Sequence, residues 1–180
     1  MADEAYVWEE GHFDGVIKQY REMLVREGMW EKVADGDEQA GLAEALEKVY
    51  SLLPPPPQSL SQSTPSLSSL SPPQHLIMHV LHLSSRGAIY PHVDNLEAFG
   101  RTIIGISLGG PRVMRFKQVS EPQDGIVKDG PSDFEVLLEP GSAYIQAEPL
   151  RTHYTHEVLE TGKWEGRTVG GTQRLRSPAN

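Results

Sequence analysis

The stretch TIIGISLGGPRVMRFKQV, residues 102–119, decides the fold class of this chain. It contains two runs rich in β-branched and apolar residues, Thr102–Leu108 and Val113–Val119, which are separated by Gly109-Gly110-Pro111. Runs of this length between turn residues are typical of short β-strands joined by tight connections. The stretch therefore predicts two successive strands with no helix between them.

Similar runs lie on both sides of this stretch. No long helical pattern separates them, which favours a sandwich or jelly roll over a parallel α/β sheet. We predict an α+β, mostly β fold: a double-stranded β-helix (jelly roll) with two N-terminal helices packed on it. The further predicted strands are His75–Leu83, Phe134–Leu138 and Ser142–Ile145, and the separators are Gly87, Asp129-Gly130-Pro131 and Pro140-Gly141.

The first part of the chain has a different pattern. Apolar residues recur at a spacing of three to four over residues 13–34 and again over roughly 38–52, which predicts two amphipathic helices. Residues 54–74 are rich in proline and serine and predict a flexible insertion. The predicted organisation is a helical part over 1–53, this insertion, and a jelly-roll core over 75–180.

Composition restricts the function classes. The net charge of −9 argues against a dedicated nucleic-acid binder, which usually carries a basic face. With no cysteine in the chain, any metal must be held by histidines and carboxylates. No apolar run approaches the ~20 residues that span a bilayer. The acidic start, MADEAYVWEE, lacks the pattern of a secretion signal or a mitochondrial presequence.

The spacing of one histidine and one aspartate points to a metal. His92 and Asp94 are two residues apart, and on a strand this spacing puts both side chains on one face. His156 is the candidate third ligand, with His153 as a competitor. Two histidines and one carboxylate form the facial triad of non-haem Fe(II) oxygenases, which leaves three coordination positions open.

The region from His79 to Val158 resembles the AlkB family of dioxygenases, in particular the branch called AlkB homologue 7. The helical part from Tyr6 to Trp30 is also similar. The segments that carry the resemblance are His79–Leu83, Pro91–Asp94, Thr102–Leu108, Pro111–Arg115, Leu137–Ile145 and Tyr154–Leu159.

The resemblance implies a function and a set of site residues. It implies Fe(II) bound by His92, Asp94 and His156, with 2-oxoglutarate and O2 as cosubstrates. It also implies that Tyr144 hydrogen-bonds 2-oxoglutarate and that Arg174 binds its distal carboxylate, with Arg176 as the alternative. The family has a second arginine six residues further on, where this chain has Asn180, so we expect a core shortened at its C-terminus.

The expected reaction is hydroxylation or N-demethylation of a protein or a structured RNA. Only helices and the Pro/Ser segment are predicted ahead of the jelly roll, so no lid for gripping a flipped base is expected, and duplex DNA is disfavoured. The resemblance implies a mitochondrial location, with cytoplasmic as the alternative, and a role in fatty-acid metabolism and programmed necrosis. We expect a monomer without membrane insertion.

Three alternatives remain open at this point. The first is an iron-binding pseudoenzyme that acts as a protein-interaction module. The second is an interaction protein that uses the proline-rich segment as its contact. The third is a cupin-like metalloprotein, against which the single carboxylate of the triad argues.

Overall fold

The computed structural model describes residues 8–26, 28–29, 36–53, 72, 76–120 and 130–170. Two compact units are present. Within the described residues the larger unit contains 8–21 and 82–170, and the smaller unit lies within 22–81. Each unit is described by itself, and the candidate site lies in the larger one.

Strands dominate the described residues. The strands are β1 (Glu9–Gly11), β2 (Ile17–Leu24), β3 (His79–His92), β4 (Ile103–Ile106), β5 (Arg112–Gln118), β6 (Asp133–Leu138), β7 (Ala143–Gln146), β8 (Tyr154–Val158), β9 (Thr161–Trp164) and β10 (Arg167–Gly170). The helices are α1 (Gly36–Ser51), α2 (Leu96–Phe99) and α3 (Leu150–His153).

The strands form antiparallel sheets. The largest has six strands in the order β1-β2-β3-β8-β5-β6, while β4 pairs with β7 and β9 pairs with β10. The neighbours of β8 in the large sheet come from distant parts of the sequence, which is the crossed strand order of a jelly roll. The predicted fold class, mostly β and of the jelly-roll type, is confirmed.

The core of the larger unit forms where the sheets face each other. Phe116 on β5 stacks on Phe134 on β6, with ring centroids 4.8 Å apart. Tyr144, on the small β4–β7 sheet, packs against the same cluster and so joins the two sheets. The buried members of this cluster are Met114, Phe116, Leu138, Tyr154 and Val158.

The first predicted helix, over residues 13–34, is wrong where the structure describes it, since Ile17–Leu24 forms strand β2. β2 pairs with β1, with Glu9 opposite Tyr20 and Gly11 opposite Lys18. The physical reason is a hairpin turn: Gly15 takes a positive φ of 73°, and the backbone N–H of Val16 donates to the Asp14 carboxylate. A helical spacing of apolar residues was therefore overridden by strand pairing.

Four of the predicted strands of the β region are found within a few residues of their predicted bounds, and the predicted strand His75–Leu83 begins only at His79 in the described residues, but one separator was misjudged. Gly87 does not end a strand; it lies inside β3, which continues to His92. A side chain at Gly87 would meet the Gln19 carbonyl oxygen at 2.6 Å, so glycine permits a close approach of two backbones there. The one-turn helices α2 and α3 also lie between strands, where we predicted no helix.

The smaller unit contains the helix that the sequence predicted. The second predicted helix, over roughly 38–52, is confirmed as α1, and Leu46 is its buried residue. The predicted Pro/Ser insertion over 54–74 lies outside the described residues except for Pro72. Within the described part of the chain, no helix is long and apolar enough to cross a membrane.

Candidate metal centre

The three residues predicted as metal ligands lie together. His92 is the last residue of β3, Asp94 follows two residues later, and His156 is the middle residue of β8. β3 and β8 pair with His92 opposite His156, and the two imidazole centroids are 4.3 Å apart. One ligand atom from each of the three residues lies within 4.8 Å of the others.

The donor atoms suit a divalent transition metal. Asp94 Oδ1 lies 3.2 Å from His92 Nε2, and Asp94 Oδ2 lies 3.6 Å from His156 Nε2. The side chains are 12–21% exposed, so the site is enclosed but open to small molecules. Two imidazole nitrogens and one carboxylate match the donor set that non-haem Fe(II) oxygenases use. The residues present therefore fit Fe(II).

The orientation of His92 is fixed by a backbone partner. Its Nδ1 lies 2.8 Å from the carbonyl oxygen of Tyr90. When Nδ1 carries the proton and donates it to this carbonyl, Nε2 keeps a free lone pair on the side facing Asp94. This is the arrangement that metal-binding histidines usually show.

The protonation state of His156 also favours a metal. Burial, followed by the nearby His92, lowers the pKa of His156 to about 4, although the charge of Asp94 acts in the opposite direction. His156 is therefore neutral at neutral pH. Because a metal binds only the deprotonated nitrogen, no proton has to be displaced at this ligand.

Burial opposes the charged forms of the other two ligands, but their contacts outweigh it. The pKa of His92 is raised because its hydrogen bonds with Asp94 and the Tyr90 carbonyl exceed the effect of burial. The pKa of Asp94 is lowered because the His92 hydrogen bond and the positive charges around the carboxylate, that of Arg151 among them, exceed the effect of burial. Asp94 is therefore a carboxylate at neutral pH, as a metal ligand must be.

Tyr144, the predicted 2-oxoglutarate contact, lies on β7 and is opposite Gly105 of β4. A methyl group at Gly105 would overlap the Tyr144 ring, so the ring occupies the space that the absent side chain leaves. Burial, and secondarily the charge of Asp94, raises the pKa of Tyr144. The hydroxyl is thus protonated at neutral pH and can donate a hydrogen bond to an anion.

Two other predicted residues cannot be placed. Arg174 and its alternative Arg176 lie outside the described residues, so their roles in binding 2-oxoglutarate stay predictions. His153, the competitor for the third ligand position, ends α3 and does not lie on the strand as expected. It is buried, and its Nδ1 lies 2.7 Å from Thr152 Oγ1, whereas His156 is the histidine that joins the cluster.

Two features of the site were missed from the sequence. Arg151, on α3, reaches Asp94 with Nη1 2.5 Å from Oδ2, although 57 residues separate the two. Gly105 is required beneath Tyr144 only because β4 and β7 pair in this register. Both contacts depend on the three-dimensional arrangement: Gly105 lies in the segment Thr102–Leu108 that carries the family resemblance, but nothing in that segment shows that it lies opposite Tyr144.

The fold and this site together define a class: a jelly roll that brings two histidines and one carboxylate together as a partly buried cluster is the framework of a non-haem iron oxygenase. A family model supports this conclusion over most of the chain. The chain belongs to the 2OG-Fe(II) oxygenase superfamily, whose model matches residues 18–175. The family is one of oxidoreductases, and it implies Fe(II), 2-oxoglutarate and O2 as cofactor and cosubstrates.

Curated relatives confirm the resemblance to AlkB homologue 7. The chain is 42% identical over 95 residues to the mitochondrial alpha-ketoglutarate-dependent dioxygenase alkB homolog 7 of Mus musculus. It is 40% identical over 94 residues to the protein of the same name from Bos taurus. These matches cover 53% and 51% of the chain, and 37% and 39% of the relatives. The chain therefore spans about two fifths of the length of the relatives it matches.

Proposed function

We propose that this chain is an Fe(II)- and 2-oxoglutarate-dependent dioxygenase whose iron is held by His92, Asp94 and His156. The observation that carries the proposal is the convergence of these three side chains across the β3–β8 pairing. Family membership over residues 18–175 supports the same chemistry. When bound, iron and its cosubstrates supply the oxidation, in which 2-oxoglutarate becomes succinate and CO2 and one oxygen atom enters a substrate C–H bond.

The protein's own residues prepare the site for this chemistry. Neutral His156 and the Nε2 of His92 offer lone pairs, and Asp94 offers negative charge. Tyr144 would donate a hydrogen bond from its hydroxyl to 2-oxoglutarate. It lies close enough to Asp94 for the carboxylate charge to raise its pKa, after the larger effect of burial. Arg174, with Arg176 as the alternative, would bind the distal carboxylate, since a planar guanidinium pairs with a carboxylate through two hydrogen bonds.

We also propose that the substrate is a protein or a structured RNA, oxidised by hydroxylation or N-demethylation. The net charge of −9 disfavours duplex DNA, because phosphate contacts need basic surface, and it counts against structured RNA for the same reason. The expected lack of a lid no longer argues against duplex DNA. That argument assumed a helix ahead of the jelly roll, whereas residues 17–24 form a strand with a hairpin turn before it.

The biological setting is a proposal that comes from relatives. The two curated relatives are named mitochondrial, which supports a mitochondrial location for this chain. A role in fatty-acid metabolism and programmed necrosis follows from the resemblance alone. We further propose that the chain acts as a monomer, that residues 75–180 form the dioxygenase core, and that 54–74 form a flexible insertion.

The proposal is tested by turnover of 2-oxoglutarate. The purified chain is loaded with Fe(II), supplied with 2-oxoglutarate and O2, and succinate is measured beside His92→Ala. The matched control is His79→Ala, the same substitution at the exposed first residue of β3. We expect succinate from the wild type and from His79→Ala, and none above background from His92→Ala.

The same experiment distinguishes the dioxygenase from the main alternative, the iron-binding pseudoenzyme. A wild-type chain that binds iron but forms no succinate contradicts the dioxygenase and supports the iron-binding interaction module. A succinate yield that survives in His92→Ala contradicts the assignment of the iron ligands.

A further inference from the structure

Arg151 is a buried side chain that contacts the proposed metal ligand Asp94. It lies on α3, and its side chain is 1% exposed. Nη1 donates to Asp94 Oδ2 at 2.5 Å, and Nη2 donates to the carbonyl oxygen of Gly100 at 2.8 Å. Its Nε has no hydrogen-bond partner among the residues that the structure describes. The guanidinium is therefore committed to two acceptors, one of which is a carboxylate oxygen of the metal site.

These two contacts join the segments that carry two ligands. Gly100 is the C-cap of α2, and the N-cap of that helix, Asn95, directly follows Asp94. Arg151 itself lies five residues before His156, in the one-turn helix that leads into β8. One side chain thus fixes the loop after Asp94 relative to the strand of His156.

Stability alone is a poor explanation for this placement. Removing a guanidinium from water costs several kcal/mol, and a buried ion pair often stabilises no better than apolar residues of equal volume. The unpartnered Nε adds to that cost. A fixed orientation of Asp94 is a benefit that an apolar residue cannot provide.

The contact also determines which oxygen of Asp94 is available. Oδ2 lies 3.6 Å from His156 Nε2 but is already bound to Arg151, whereas Oδ1 lies 3.2 Å from His92 Nε2, on the side of the imidazole that is free to bind a metal. A carboxylate that offers one oxygen uses one coordination position. A facial triad needs this, because the other positions must take a two-atom cosubstrate and O2.

We propose that Arg151 is a positioning residue of the metal centre, which binds Oδ2 of Asp94 and presents Oδ1 to the metal. The proposal rests on the metal site proposed above. It extends that site to a residue that would touch neither the metal nor the substrate. Partners of this kind typically change metal affinity or activity by roughly 10–100-fold when removed.

The competing explanation predicts the opposite sign. If Arg151 only balances the charge of Asp94 in the metal-free protein, its removal leaves a carboxylate without a competing cation. A divalent metal would then bind more tightly. If Arg151 positions the carboxylate, its removal weakens metal binding despite the more favourable charge.

The test is a Co(II) titration of the full chain, followed by the visible absorption of the bound ion, for the wild type, Arg151→Met and Arg151→Lys. We expect Arg151→Met to bind Co(II) about 10–100-fold more weakly and with a changed absorption band, because both oxygens of Asp94 become free. Arg151→Lys keeps the charge but cannot hold both acceptors in a planar fork, so it should lie between the two.

Arg112→Met is the matched control, because the hydrogen bonds of Arg112 to described residues go to backbone carbonyls and to none of the three ligands. It should keep the wild-type Co(II) affinity. Circular dichroism is recorded for each variant before titration. Should Arg151→Met fail to fold, Arg151→Lys decides alone: weaker binding supports the proposal, and unchanged binding overturns it.

Equal or tighter binding by folded Arg151→Met also overturns the proposal. A wild-type chain that binds no Co(II) is a separate result, because it removes the metal site itself and the role of Arg151 with it. His92→Ala, which should bind no Co(II), marks the lower end of the scale.

Discussion

Arg112 and Arg151 are two arginines enclosed by the same unit that use their guanidinium groups differently. Arg151 donates to a carboxylate of the candidate metal centre and to one carbonyl. Arg112, on β5, donates among the described residues to carbonyl oxygens, those of Ser84 and Gly87 on β3 and of Leu159 and Glu160 after β8. Arg151 therefore contacts a residue of the candidate metal centre, whereas Arg112 links β5 to the backbone of β3 and of the segment after β8.

The comparison shows how to distinguish an arginine that stabilises the fold from one that positions a residue of the site. Arg151 is fully buried and Arg112 is partly buried, and burial lowers the pKa of Arg112 although the charge of Glu160 opposes this shift. Burial alone therefore does not identify function. The acceptor identifies function better. An arginine that donates to buried backbone carbonyls provides the hydrogen bonds that stability requires, whereas an arginine that donates to a metal-binding carboxylate fixes the orientation of that ligand.

The largest effect is expected from the ligands themselves, since the role of Arg151 depends on them. His156→Ala should reduce metal affinity well beyond the roughly 100-fold that bounds the loss of an outer partner. Its matched control is His153→Ala, three residues earlier, which is buried against Thr152. The control should lose stability but keep the metal affinity of its folded fraction, as measured by Co(II) titration. Equal losses in the two variants would break the distinction between these histidines.

The next effect sharpens the comparison from the side of Arg112. Arg112→Met leaves four carbonyl contacts unmade and should lower the free energy of unfolding by about 2–3 kcal/mol. Urea denaturation followed by circular dichroism measures this as a lower midpoint with an unchanged slope. A loss of metal affinity in the folded Arg112→Met protein would show that the two arginines are not separable.

A smaller effect is expected at Gly105, which is paired with Tyr144 across β4 and β7. Gly105→Ala should displace the ring of Tyr144 and weaken 2-oxoglutarate binding by about tenfold, which is about 1.4 kcal/mol, while metal affinity stays unchanged. Isothermal titration of the metal-loaded protein with 2-oxoglutarate measures the first quantity, and Co(II) titration of the metal-free protein measures the second. Gly110→Ala is the control, because a methyl group there meets nothing within 4 Å. Unchanged 2-oxoglutarate binding in Gly105→Ala would contradict the role of Tyr144.

The smallest effect completes the comparison with a third, more exposed arginine. Arg115 bonds Glu135 across β5 and β6 at 2.9 Å and Glu157 on β8 at 3.1 Å, and its side chain is 42% exposed. Exposed pairs contribute little, so Arg115→Met should lower stability by about 0.5 kcal/mol, and added salt should remove the difference. A loss of stability as large as that of Arg112→Met would contradict the claim that the acceptor and the exposure of an arginine determine its contribution to stability.

The sequence predicted the β region well because short strands were bounded by strong turn residues. The predictions Thr102–Leu108 and Val113–Val119 correspond to β4 and β5, and the jelly-roll class followed from such runs. The triad was also predicted, although the spacing of His92 and Asp94 alone is a weak signal for a metal, and the family resemblance carried the prediction. Their convergence with His156 follows from the pairing of β3 with β8.

The N-terminal segment shows why periodicity alone misled. Phe13, Val16, Ile17 and Tyr20 fit a helical spacing, yet residues 17–24 gain more by pairing as a strand. Asp14-Gly15 inside the predicted helix was a hairpin signal that the periodicity outweighed in our prediction. The contacts of Arg151 with Asp94 and of Gly105 with Tyr144 depend on the three-dimensional arrangement, so the sequence held no signal for them.

The most direct test of the central claim is an anomalous difference map, recorded at the iron absorption edge, from crystals of the chain grown with Fe(II) in the absence of oxygen. We predict one peak per chain, bounded by His92 Nε2, His156 Nε2 and one oxygen of Asp94. A peak at other residues, or no peak at this position despite iron in the crystal, would contradict the account.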